Sequence, residues 1–117
     1  MEIIHIPDTV TSIESYAFAE CPSLKTVDFS EGTESINGNV FYGDTALTTV
    51  NLPSSLTLIG AYAFKNCTAL ETIALPDSVA SLGYRVFENC ANLAQVNYPL
   101  SLTDCPGGNG AGWSEHG

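Results

Sequence analysis

One spacing governs this chain. Phe18, Phe41, Phe64 and Phe87 recur every 23 residues, and so do Leu24, Leu47, Leu70 and Leu93, with Met1 in the same column. Ile4, Val27, Val50, Ile73 and Val96 keep the step, as do Ile6, Phe29, Leu52, Leu75 and Tyr98. Two more columns are Ile13, Ile36, Ile59 and Leu82, and Ala17, Val40, Ala63 and Val86. Apolar columns that share a step without insertion are the signature of stacked repeats. Four units are complete (1–23, 24–46, 47–69 and 70–92), and a partial fifth keeps register over 93–102. The repeat domain is thus placed at 1–102, followed by a glycine-rich tail at 103–117.

Each unit opens L-x-x-I-x-I/L, as in LTTVNL at 47–52 and LETIAL at 70–75. Apolar residues alternate there, which is strand periodicity. Pro7, Pro53, Pro76 and Pro99 follow, with Ser30 in the second unit. Proline has no N–H to give a ladder, so it ends the strand. The second half reads I-G-x-x-A-F-x-x-C-x-x-L, as in IGAYAFKNCTAL at 59–70. Its apolar residues Ile59, Ala63, Phe64, Cys67 and Leu70 match one stripe of a short helix. A unit therefore reads as a strand, a turn and a short helix. Alone it buries nothing; stacked, the units share a core and their strands form a parallel sheet.

The stretches TVNLPSSLTLIGAYAFKNCTAL (49–70) and TIALPDSVASLGYRVFENCANL (72–93) resemble the leucine-rich repeat family. The likeness is to its 23-residue BspA-like class (Treponema pallidum type) of bacterial and protist surface proteins, and it covers roughly 1–102. The second unit departs from the pattern, with Ser30 for proline, Asn37 for glycine and Asp44 for cysteine, and the tail matches no unit. The resemblance implies an α/β leucine-rich repeat solenoid, a curved parallel β-sheet with short helices or turns on its convex side. It further implies a non-enzymatic protein-binding module of an adhesion-type protein, at the cell surface or extracellular, that binds a protein through the concave sheet face. The N-terminal MEIIHIPDTV is not a secretion signal, having an acid where a basic region belongs and a proline inside the apolar stretch.

Thirteen acids against three bases give a net charge of −10. Such a surface repels the phosphate backbone of nucleic acid and an anionic membrane face. No apolar run approaches the ~18 residues of a membrane-spanning helix, so no membrane insertion is expected.

The residues that alternate with the apolar columns face outward on the sheet. Its polar members, His5, Thr26, Asp28, Thr49, Asn51, Thr72, Gln95 and Asn97, form the candidate protein-binding face, beside Ile3 and Ala74. Five strands would span about 20 Å. The strip is small and polar, without the aromatic and arginine residues common at binding hot spots. His5 lies one rung from Asp28; such a pair can orient an imidazole for base catalysis. No nucleophile at a strained elbow accompanies it, so the pair reads as a cross-strand contact and no enzyme chemistry is assigned.

Cys21, Cys67 and Cys90 share one column and read as small buried hydrophobes. No C-x-x-C occurs and the two histidines lie at opposite ends, so neither a metal nor another cofactor is expected. Cys67 and Cys90 should point the same way, which is poor geometry for a disulfide. Cys105 falls in the tail. Asp28, Glu31 and Glu34 form an acidic rim, and Tyr16 and Tyr62 share an outward column with Asn39 and Arg85. At the first unit, Ile4, Ile6, Ile13 and Phe18 would face solvent and the first strand would be an open edge, which invites pairing with another chain. The alternative reading is therefore a spacer, or a piece of a longer array that associates end to end as a homo-oligomer.

Overall fold

The structure, a computed structural model, describes residues 2–98. Its strands are β1 (Ile3–Ile6), β2 (Ser12–Ile13), β3 (Thr26–Phe29), β4 (Ser35–Ile36), β5 (Thr49–Asn51), β6 (Leu58–Ile59), β7 (Thr72–Ala74), β8 (Ser81–Leu82) and β9 (Gln95–Asn97). All pairing is parallel and in the step of the sequence: His5 lies opposite Asp28, Val27 opposite Val50, Ile13 opposite Ile36 and Ile73 opposite Val96. The result is a parallel β-solenoid of about four turns. The main strands do not form one continuous ladder. They divide into a three-stranded sheet, β1-β3-β5, and a two-stranded sheet, β7-β9. A second ladder, β2-β4-β6-β8, carries the Ile13 column.

The expected short helices are absent among the described residues; the second half of each unit is a run of turns. Two features of the backbone explain this. Tyr16, Asn39, Tyr62 and Arg85 sit at φ of 50–64°, and Glu20, Asn66 and Asn89 at 56–65°, a left-handed conformation that no right-handed helix contains. The N–H groups that a helix would use internally instead reach the next rung. Phe18 donates to the Val40 carbonyl (3.0 Å), Phe41 to Ala63 (2.8 Å) and Phe64 to Val86 (3.0 Å). Between these bonds the chain closes on itself three residues at a time: Lys65 donates to Tyr62, Cys67 to Phe64 and Leu70 to Cys67, at 3.1–3.2 Å. Consecutive turns also bring every third or fourth residue inward, so the apolar stripe is the same one a helix would show.

That stripe builds the core. The rings of Phe18, Phe41, Phe64 and Phe87 stack along the solenoid, with centroids 5.8, 5.1 and 5.7 Å apart and planes within 18°. Leu24, Leu47, Leu70, Ile36, Ile59 and Leu82 pack around them, fully buried. The Cys67 and Cys90 thiols donate to the Phe41 and Phe64 carbonyls (3.2 and 3.0 Å), and Cys21, Cys67 and Cys90 are all free. Burial pushes the Cys90 thiol up to about 11 and raises Cys67 further, so neither is a reactive thiolate. Cys105 lies outside the described residues.

The first rung is better covered than the sequence implies. Ile6 and Ile13 are buried, and only Ile4 and Phe18 of the four stay partly open, along with Val10 and Cys21. The second rung is bonded to the first along its length, from Ile3–Ile6 beside Thr26–Phe29 to Glu20 on Tyr42, and covers much of its apolar set.

The left-handed positions yield a stability prediction. The column of Glu20 holds Gly43, Asn66 and Asn89 in the other rungs, residues that tolerate this conformation, whereas Glu20 is exposed and does not. Glu20→Asn should raise stability by about 1 kcal/mol, read as a higher urea midpoint at unchanged slope.

Candidate protein-interaction surface

Two outward surfaces carry side chains able to meet a partner. On the sheet, parallel pairing sets Ile3, Thr26 and Thr49 in one row and His5, Asp28 and Asn51 in the next. Thr72 lies beside Gln95, and Ala74 beside Asn97. Thr26 and Asp28 are half-buried; His5, Thr49, Asn51, Thr72, Gln95 and Asn97 are exposed. The eight candidate residues thus share the sheet side but fall on two ladders rather than one. His5 Nδ1 lies 3.2 Å from Asp28 Oδ2, and both side chains are well hydrated, an arrangement that fits a cross-strand contact. Ile3 is 52% exposed and gives this face an apolar end.

The acidic rim is more structural than its exposure suggests. Glu31 accepts from the Ser54 hydroxyl (2.6 Å) and the Ser54 N–H (3.2 Å) one rung on, and these bonds hold its carboxyl below the usual range. It ties the second rung to the third.

The second surface lies on the turn side, and sequence reasoning saw only part of it. Lys65 Nζ stands 5.2 Å from the Tyr62 ring centroid and 5.8 Å from that of Tyr42. Arg85 lies 5.1 Å over the Tyr84 ring, and Tyr62 and Tyr84 meet edge to face at 5.8 Å. Glu88 bridges the cations, 3.5 Å from Lys65 and 3.7 Å from Arg85. Two of the chain's three basic residues thus stand within its tyrosines. The column of Tyr16, Tyr62 and Arg85 was visible in the sequence. Its neighbour three residues on, holding Tyr42, Lys65 and Glu88, was the signal left unread.

Stacked parallel rungs with exposed polar rows define a solenoid repeat module. Residues 1–107 match the BspA type leucine rich repeat region in six copies, and the chain belongs to that family. Its fold is similar to that of the T. pallidum leucine-rich repeat protein, with a TM-score of 0.84 and 29% identity, over 87% of this chain and 50% of that one. It is also similar to a leucine-rich repeat protein from Bacteroides ovatus (TM-score 0.68, 30% identity, 89% of this chain and 33% of that one). A leucine rich cell surface protein from Faecalibacterium prausnitzii shares the fold at 22% identity (TM-score 0.72, 84% and 32%). The chain therefore spans about half the length of the first of these and a third of the others. No curated protein matches it significantly. The family is one of repeat modules of surface-type proteins, suited to protein interaction, and no enzyme family is indicated.

Proposed function

We propose that this chain is a non-enzymatic protein-binding module of a cell-surface or secreted adhesion-type protein, and that it binds through the outward face of its main strands. The observation that carries this reading is the exposed run of His5, Thr49, Asn51, Thr72, Gln95 and Asn97 on rigid parallel ladders. Strands hold such side chains at fixed spacing, so the ordering cost is met before a partner arrives. Family membership supports the class of function and the surface location. The partner is a protein; the net charge of −10 disfavours nucleic acid and anionic lipid.

The immobilised chain is offered to solubilised surface proteins of neighbouring or host cells, and a specifically retained protein is identified. The double variant Thr49→Arg with Asn51→Arg should weaken its retention at least about tenfold, with circular dichroism unchanged. Retention that survives these changes would remove the sheet face from the reading. Loss on Tyr84→Ala with Arg85→Ala instead would move the contact to the turn side, where tyrosine and arginine are residue types that favour hot spots. The alternative function is a spacer or self-associating rod. It is favoured by the half-open Ile4, Val10 and Phe18 and the unpaired edge of β1, and under it no outward substitution alters retention.

A further inference from the structure

Asp44 occupies the column that holds Cys21, Cys67 and Cys90 in the other rungs. It is fully buried at the seam between the first and second rungs. Oδ1 accepts the Cys21 N–H at 2.8 Å, and Oδ2 is buried with no partner. In the same column the Cys67 and Cys90 thiols each donate to a phenylalanine carbonyl of the preceding rung. A protonated carboxyl can play that donor role; a carboxylate cannot. The groups around it bring no compensating charge. The Cys21 thiol of the first rung and the Cys67 thiol of the third both have raised pKa values, chiefly by burial. Glu20 lies against Gly43, and the Lys65 ammonium is engaged over the Tyr42 and Tyr62 rings and with Glu88.

We propose that Asp44 is a proton-operated latch on the first rung: protonated, it keeps residues 2–23 docked on the second rung, and ionised, it favours their release. Release gives the carboxylate water, and it opens a rung that among the described residues packs on one neighbour only. It also uncovers the edge of β3 for pairing with another chain. Burial pushes the Asp44 carboxyl up from 3.8 to about 7, against the pull of the Cys21 N–H. A raised folded-state value means stability that is complete below pH 3.8 and lost as pH rises through about 7.

Hydrogen exchange read amide by amide, corrected for the intrinsic rate, tests this on the intact chain. The Phe18, Glu20 and Cys21 amides all bond to the second rung, and the Phe64 and Asn66 amides to the fourth. Protection of the first set should fall about tenfold per pH unit from pH 3.8 up to about 7 and level off above it, while the second set holds. Asp44→Asn should abolish that dependence. Asp44→Cys, the residue of this column elsewhere, should do the same and serves if the asparagine variant does not fold. A variant that keeps the wild-type pH dependence overturns the latch. So does loss of protection at Phe64 and Asn66 in step with the first rung.

Discussion

Phe64→Ala should cost about 3–5 kcal/mol, a large share of the whole stability of a domain this size. The ring is fully buried and stacked on both faces, 5.1 Å from Phe41 and 5.7 Å from Phe87. Its removal leaves a cavity in the middle of the aromatic column, and the backbone at the flanking rings is tied between rungs, Phe41 to Ala63 and the Val86 and Glu88 carbonyls beside Phe87 to Phe64 and Asn66, so they cannot close it. Phe18 supplies the comparison, because it is half-buried and stacked on Phe41 alone. Phe18→Ala should therefore cost clearly less. Solenoid stability is nearly a sum over neighbouring rungs. Breaking the central contact should also broaden the transition, as the two halves uncouple. Urea unfolding of both variants checks this; equal losses would mean that the ring column does not carry the coupling.

Gly83→Ala should destabilise by about 3 kcal/mol or more, although it adds only one methyl group. A Cβ at Gly83 would stand 2.2 Å from the Ala61 nitrogen, 2.4 Å from the Gly60 carbonyl carbon and 2.7 Å from the Ala61 Cα. These are backbone atoms, so no side chain can swing aside. The rungs would have to part where the Gly83 N–H meets the Ile59 carbonyl at 2.7 Å. Gly38 is the control: its added Cβ would meet one atom closely, the Ala61 carbonyl oxygen at 3.0 Å. Thermal unfolding should place Gly38→Ala near wild type and Gly83→Ala far below it. Similar melting temperatures for the two would show that the rungs can separate at little cost.

Much of this architecture was legible because a single step fixes it. Once Val27, Val50 and Ile73 occupy one column, each rung must pair with the next in parallel and in register, and the His5–Asp28 contact and the phenylalanine stack follow. The turns were not legible, since inward residues at spacings of three and four suit a helix and a run of turns equally. What separates them is the left-handed backbone at Tyr16, Glu20, Tyr62 and Arg85, residue types that do not advertise it; only Asn39, Gly43, Asn66 and Asn89 in the same two columns hinted at it. Gly60 and Gly83 fit the family pattern, but their reason, an approach of backbone to backbone, exists only after stacking. Asn37 holds the equivalent place in the second rung, where its side-chain amide donates to the Ile13 carbonyl at 2.7 Å. Asp44 stood out as a departure, yet its burial depended on how closely the first and second rungs meet. For the binding surface, the sheet residues could be named because alternation assigns faces. The Lys65 and Arg85 cluster joins three columns and three rungs, so it emerges only in three dimensions.

Hydroxyl-radical footprinting of the chain, free and with its retained protein partner, addresses the binding claim most directly. Ile3 and His5 report on the sheet face, and Tyr16 and Tyr84 report on the turn side. The account predicts that oxidation of Ile3 and His5 is suppressed in the complex while Tyr16 and Tyr84 react as before. Protection confined to Tyr16 and Tyr84, with Ile3 and His5 unchanged, would contradict it.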